Sequence, residues 1–382
     1  MIHVRPFEPS DWEPLVALLH QSFNAPPTGW ATFRGRVGDE NLRVATDGGT
    51  IVGGYAAYDF GQYWLGRSVR LSGVAGVGVA PHARSRGVAK AMMTRALHDA
   101  RSAGVPIVGL YPATQRVYRS VGFEQSGERV RYQAPLASLA SARQEVDVVP
   151  LDLESDAAIP ALRARYRPAH GNLDRNDAIW QRLCHPYEGK RYAWLIGDDG
   201  YVVVQQVGGA GLHYDVEVYD LAAPSAPTAR TLLALLASHR SLAEQVRWLG
   251  APADPLLALL PEPTWSVIGH QRWMLRLVDV AKALRERGWA EGSGELHLDV
   301  NDTLLPENGG RMVLHVGDGQ AEVRPGGRGD LRCDVSALGP LYSGLFSATV
   351  LRGLGWVEGE DAAIRTAGRL FAAPVPWMRE MY

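Results

Sequence analysis

The sequence predicts a mixed α/β (α+β) protein made of two successive mixed-sheet units, the second degenerate, and a smaller α+β unit. Three observations predict it. A chain of 382 residues exceeds one ordinary core and fits three domains. Several strand signals lead into a basic, glycine-containing turn that opens a helix, and a further strand follows. The same order recurs in part from about residue 145, but without the basic turn.

Taken in order, His3-Val4-Arg5 reads as a strand. A helix follows with Ser10 at its N-cap and Glu13 three residues on, the pattern of a capping box. Val16, Leu19 and Phe23 give that helix one apolar face. Trp30 to Arg36 reads as a second short helix. Strands are expected over Leu42 to Thr46, then, after a turn at Asp47-Gly48-Gly49, over Ile51 to Phe60, and after Gly61-Gln62 in a third run ending at Val79. A helix to Ala103 is closed by Gly104, and Val105 to Leu110 forms a strand before a short helix holding Tyr118.

The partial repeat comprises a helix over Asp156 to Tyr166, strands at Tyr192 to Ile196, Tyr201 to Val207 and Val216 to Leu221, and a helix from Ala229 to Leu236. Its Ala-Ala-Pro-Ser-Ala-Pro-Thr turn has neither glycine nor a basic residue, so a copied anion site would lack its parts. From about Val278 the chain offers a helix, strands at Glu295 to Val300, Gly310 to Val316 and Gln320 to Arg324 joined by Gly/Asp turns, and then two helices.

Composition narrows the function. The chain is 46% hydrophobic and 21% charged, as in a folded soluble protein. A formal net charge of −2 provides no broad field for nucleic acid or anionic lipid. Lys occurs only as Lys90, Lys190 and Lys282, so the basic residues are nearly all Arg, a coding bias rather than a phosphate-binding device. Cys184 and Cys333 make no disulfide framework and show no metal-ligand spacing, so no metal is expected. Cys184-His185 reads as a structural pair. With no signal peptide or membrane span in the sequence, a reducing cytoplasm is the expected location.

The strongest chemical signal is Val77-Gly78-Val79-Ala80-Pro81-His82-Ala83-Arg84-Ser85-Arg86-Gly87-Val88-Ala89-Lys90. A strand delivers the chain to a turn that opens a helix, whose first N–H groups have no partner within the helix. Together with the helix dipole, those amides attract a pyrophosphate. Gly87 and Ala89 leave room for close approach, and Arg84, Arg86 and Lys90 add positive charge. The bland alternative is a basic turn capping an amphipathic helix. A Walker loop would need Gly-Lys-[Ser/Thr], and a dinucleotide fingerprint a Gly-x-Gly-x-x-Gly after the first strand; neither is present here.

These residues resemble the cofactor motif of the GNAT superfamily of acyltransferases, [Gln/Arg]-x-x-Gly-x-[Gly/Ala]. The resemblance implies that acetyl-CoA is the cosubstrate, with pantetheine pairing along Val77, Gly78 and Val79 and pyrophosphate over Ser85, Arg86, Gly87, Val88, Ala89 and Lys90. It also implies that Tyr118, before Gly122-Phe123, is the general acid, since a phenol near the sulfur can donate as thiolate charge develops.

Over its whole length the chain resembles the enhanced intracellular survival (Eis) family, on VAGVGVAPHARSRGVAKAMM, RARYRPAHGNLDRNDAIWQRL and the terminal PVPWMREMY. The resemblance implies a catalytic GNAT domain over 1–140, a degenerate GNAT-like domain over 141–277, and a sterol-carrier-like domain over 278–382 whose end returns to the active site. It implies that the α-carboxylate of Tyr382 accepts the proton, that Trp30 lines the acceptor pocket, and that Ala113 and Thr114 contact acetyl-CoA through their backbone. Glu380 would add a second negative charge beside the terminus, suiting a cationic acceptor. Ser22 stands near the place of the family's acidic pocket residue. The expected reaction is direct acetyl transfer in a ternary complex to a primary amine of an aminoglycoside, a polyamine-like compound or lysine, by a homo-oligomer for which the family suggests a hexamer. The alternative is a non-catalytic protein that binds CoA and a lipid.

Overall fold

The computed structural model describes residues 1–209 and 211–382. The chain opens with β1 (Ile2–Pro6), α1 (Trp12–Phe23), α2 (Pro27–Val37), β2 (Leu42–Asp47), β3 (Thr50–Trp64), β4 (Arg67–Val79), α3 (Val88–Ser102), β5 (Ile107–Leu110), α4 (Gln115–Arg119) and β6 (Glu124–Pro135). It continues with β7 (Val148–Leu151), α5 (Ala158–Arg165), β8 (Leu173–Asp174), α6 (Asp177–Cys184), β9 (Arg191–Ile196), β10 (Gly200–Val207), β11 (Tyr214–Ala222), α7 (Ala226–Ala237), β12 (Ala243–Gly250) and β13 (Ser266–Leu277). The last part holds α8 (Val280–Glu286), β14 (Gly294–Asn301), β15 (Gly310–Gly317), β16 (Gln320–Pro325), β17 (Leu331–Asp334), α9 (Val335–Ser343), α10 (Ala348–Gly353), β18 (Val357–Gly359) and α11 (Asp361–Leu370). Three helices, rather than the two expected, follow the strands there.

The expected cap of the first helix is displaced by one turn. The N–H of Glu8 donates to the Asp11 carboxylate at 2.8 Å, and Arg5 grips the same carboxylate at 2.6 and 2.7 Å, so a short 3₁₀ turn over Pro9–Asp11 precedes α1. Helix α1 buries Leu15, Val16, Leu18 and Leu19. Its fit to β4 requires glycine: a Cβ on Gly78 would lie 2.9 Å from Leu18 Cδ2 and 3.0 Å from Leu19 Cδ2. The β3–β4 hairpin turns at Leu65-Gly66, both at positive φ, not at Gly61-Gln62. Gly61 stays extended because Asp174 of β8 packs against it, and Gln62 is buried with its side chain donating to the Gly171 carbonyl at 2.8 Å. Long-range packing overrides the local turn signal.

The first two parts of the chain share one sheet, in the order β1-β2-β3-β4-β5-β13-β6-β12-β11-β10-β9-β7 with β8 on β3. Strand β13, which the sequence did not announce, is inserted between β5 and β6 and is antiparallel to both. Segments on either side of residue 140 thereby complete one another's hydrogen bonding. Strands β14 to β18 form a separate sheet in the order β16-β15-β14-β17-β18. Its helix α9 sits against the large sheet through Gly339, where a Cβ would lie 2.8 Å from Ser126 Oγ and 3.1 Å from the Leu275 carbonyl.

One histidine ties the three parts together. His170 Nδ1 accepts from the Leu65 N–H at 3.1 Å, and Nε2 pairs with the Ser343 carbonyl at 2.7 Å. These partners require the neutral Nε2–H tautomer. Burial pushes its pKa down to about 4; the bond to Ser343 opposes that shift and Arg287 adds to it.

Candidate active site

The expected cofactor residues lie where two strands part. Parallel pairing of β4 with β5 runs from Leu71↔Ile107 to Val74↔Leu110 and then stops, while β4 continues to Val79 paired only with β3. Gly76 interrupts β4 at φ 59°, and the β3–β4 register shifts just there, between Gly54 and Ala56. The edge of Val77, Gly78 and Val79 that faces away from β3 thus keeps backbone groups free for an extended amide-bearing arm.

Beyond Val79 the chain turns through Pro81–Ala83 and enters α3. Ser85 (φ 61°) and Gly87 (φ 82°) are both left-handed, which turns successive N–H groups toward the same side. The helical ladder begins with Ala91 N–H to the Gly87 carbonyl at 2.9 Å, so the amides of Val88, Ala89 and Lys90 have no backbone acceptor. A Cβ on Gly87 would meet nothing within 4 Å, so the space above the turn is open. An anion-binding nest with that opening fits a pyrophosphate. The arginines contribute less than their number suggests, because Arg86 is paired with Asp47 at 2.7 Å. Ala113 and Thr114 are exposed on the segment leading from β5 to α4.

Tyr118 is buried on α4, edge-on to Phe123 at 6.1 Å between centroids. Its hydroxyl makes no hydrogen bond among the described residues. Burial raises its pKa, so the phenol stays protonated at neutral pH and can donate.

The tail returns to the β4–β5 pair by a route that can be followed bond by bond. Glu128 N–H donates to the Pro376 carbonyl (3.1 Å), Met378 N–H to the Glu128 carbonyl (3.3 Å), and Asn172 Nδ2 to the Trp377 carbonyl (2.7 Å). Arg129 Nη1 then donates to the Arg379 carbonyl (3.0 Å) and the Tyr111 hydroxyl to that of Met378 (3.3 Å). Tyr382 ends buried, its ring 4.9 Å from Phe60 and 6.1 Å from Tyr111. An aromatic row runs from Phe23 through Trp30, Phe33, Tyr58 and Phe60 to Tyr382. Trp30 lies 3.5 Å from where a Cβ on Gly76 would stand, beside the interruption of β4.

Glu380 differs from expectation. Arg175, itself fully buried, holds the Glu380 carboxylate at 2.5 Å and also reaches Asp220 at 2.5 Å; Arg379 takes the other oxygen of Asp220 at 2.5 Å. Burial alone would raise the Asp220 pKa, but the two guanidiniums outweigh it and hold the carboxyl low. Glu380 is thus neutralised by an ion-pair network that anchors the tail, and only its Oε2 lacks a partner. Sequence reading missed Arg175 and Asp220, whose separation along the chain hides their pairing. Cys184 is a buried thiol pushed up to about 11 by its burial, and His185 pairs with Glu154 at 3.5 Å, so the two act separately. Among the described residues, no group of three or more His, Cys, Asp or Glu is placed to hold a metal ion, and no helix is long and apolar enough to cross a membrane.

Residues 3–126 and 171–277 match two models of an acetyltransferase (GNAT) domain, and residues 280–379 match a sterol carrier protein domain. The chain is 27% identical to N-acetyltransferase Eis of Mycobacterium tuberculosis, with 96% of each chain covered. Among solved structures it is similar to a GCN5-related N-acetyltransferase from Anabaena variabilis, with 33% identity, all of both chains covered and a TM-score of 0.95. One from Kribbella flavida is 30% identical, covers 100% of this chain and 98% of its own, and has a TM-score of 0.89.

Proposed function

We propose that this chain, which belongs to the Eis-type GCN5-related N-acetyltransferases with a C-terminal sterol carrier domain, passes the acetyl group of acetyl-CoA directly to a primary amine held in the same complex. The observation that carries this reading is the parting of β4 from β5 ahead of the anion-binding turn, with the Tyr382 ring packed on Gly73 and Gly109 of the same two strands. Acetyl-CoA supplies the activated thioester, and its departure as a thiolate needs a proton.

The backbone of Val77, Gly78 and Val79 would hold the pantetheine arm, and the amides of Val88, Ala89 and Lys90 the pyrophosphate. Tyr118, kept protonated by burial, would donate to the sulfur as its charge grows. The Tyr382 carboxylate would take the proton of the attacking amine. A free α-carboxyl has a reference pKa of roughly 3.5, so this acceptance works through a water or by stabilising the cation formed on attack. The aromatic row with Trp30 would exclude water from the approach.

Incubating the protein with acetyl-CoA, a thiol reagent and amines of aminoglycoside, polyamine-like and lysine type tests the reading. Amine-dependent thiol release supports it. A protein that binds acetyl-CoA and releases no thiol with any amine would instead be a binding module.

A further inference from the structure

Between α6, β11 and the C-terminal tail lies a cavity of about 260 Å³, whose wall includes Arg129, Arg182, Arg191, Tyr187, Glu217 and Glu380. Both carboxylates are engaged, Glu217 with Arg131 at 2.7 Å and Glu380 with Arg175. Arg129, Arg182 and Arg191, and Arg36 beside them, form no ion pair among the described residues. Their partners are neutral. Arg36 Nη2 donates to the His185 carbonyl at 2.5 Å and its guanidinium stacks on Tyr187, yet its Nη1 is buried without an acceptor. Arg191 Nη1 donates to the carbonyls of Arg182 and Leu183 at 2.8 and 2.7 Å, while its Nε is likewise buried and unpaired. The guanidinium of Arg182 makes no side-chain hydrogen bond among the described residues.

Carbonyls and ring faces satisfy hydrogens but leave the charge uncompensated. Partly buried guanidiniums in that state are costly unless an anion completes them. The planar guanidinium fork matches the oxygens of a carboxylate or phosphate.

The cavity adjoins the reacting centre. Arg129 lies over the Tyr111 ring at 4.8 Å, and that ring is next to Tyr382. Arg36 and Arg182 also act on Tyr58 in the aromatic row, opposing the rise in its pKa that burial causes.

We infer that the acceptor amine carries an anionic group, a carboxylate or a phosphate, at the end remote from its nitrogen, and that this cavity holds it on Arg182 and Arg191. The inference rests on the reading of the centre as an N-acetyltransferase and departs from the cationic acceptors expected from the resemblance.

Four probes that share an aminomethylphenyl body and differ at the opposite end test it: 4-(aminomethyl)benzoate, 4-(aminomethyl)benzylphosphonate, 4-(aminomethyl)benzamide and the dication 1,4-bis(aminomethyl)benzene. The expected kcat/KM for the better anion exceeds that for the amide by about 10-fold, with the dication lowest. Arg182→Gln should reduce the anion-to-amide ratio by at least about 5-fold, and the carboxylate and phosphonate arms show which anion is meant. If none is turned over, calorimetry with CoA present decides: salt-sensitive binding of an anion, weakened in Arg182→Gln, supports the site. The inference is overturned if the dication is the best acceptor, if the ratio is indifferent to Arg182→Gln, or if no anion binds. Thiol release with the dication would leave the acetyltransferase reading intact, whereas failure with every amine would count against that reading itself.

Discussion

Gly73 of β4 and Gly109 of β5 stand opposite each other in the parallel ladder, and together they form the floor on which the Tyr382 ring lies. A Cβ on Gly109 would come within 2.6 Å of the Tyr382 hydroxyl, and one on Gly73 within 2.8 Å of its ring and 2.3 Å of Phe60. Side chains are missing at this one rung because the end of the chain takes their place.

This socket predicts that Gly109→Ala displaces the tail. We expect kcat to fall by about 10-fold or more with acetyl-CoA affinity within about twofold of wild type, since the cofactor edge of β4 lies further along the strand. Tyr382→Ala should behave in the same way by emptying the socket, and Tyr382→Phe should cost much less. Steady-state kinetics and calorimetry on the three variants check this.

At the nest, Gly87→Glu should abolish acetyl-CoA binding by placing a carboxylate in the open space above the turn. A left-handed φ would itself strain a side chain by roughly 1 kcal/mol. Gly87→Ala therefore serves as the control, carrying the strain without the charge. Titration calorimetry should find weak binding for Ala and none for Glu; equal affinities would remove the pyrophosphate from this turn.

Tyr118→Phe should lower kcat by about 10²-fold while leaving acetyl-CoA affinity nearly unchanged, because the hydroxyl acts only as charge develops on sulfur. Near wild-type turnover would make Tyr118 a packing residue.

His170 makes stability pH-dependent in a defined window. Its folded pKa, about 4, is below the unfolded value of about 6.5, so the unfolded chain binds the extra proton between them. The stabilisation is complete above pH 6.5 and is lost as pH falls toward 4, by up to ~3 kcal/mol. Denaturant midpoints measured across that range should fall more steeply for the wild type than for His170→Gln. Parallel curves would mean that protonation costs nothing at the junction.

Local signals revealed much of this architecture. The periodicity of α1, the basic turn entering α3 and the short helix with Tyr118 are each written within a dozen residues, and they lie near where the sequence places them. What stayed hidden depends on distant partners. Strand β13 is recognisable only by its neighbours β5 and β6, more than a hundred residues earlier. Gly61-Gln62 resembles a turn until Asp174 and Gly171 occupy its surroundings. Glu380 reads as a free charge because nothing near it in sequence shows that Arg175 neutralises it.

The most direct test of the account is to change where the carboxylate of Tyr382 stands without disturbing its ring. Adding a few residues after Tyr382 turns that carboxylate into a neutral amide and carries the charge several ångströms away; an N-terminal tag of equal length is the control. Amine-dependent thiol release and acetyl-CoA affinity are then measured on the same folded preparations. The account predicts that the extended protein loses most of its activity and keeps its affinity for acetyl-CoA, and so differs from Tyr382→Phe in activity alone. Full activity in the folded, extended protein would contradict it and place the proton acceptor elsewhere.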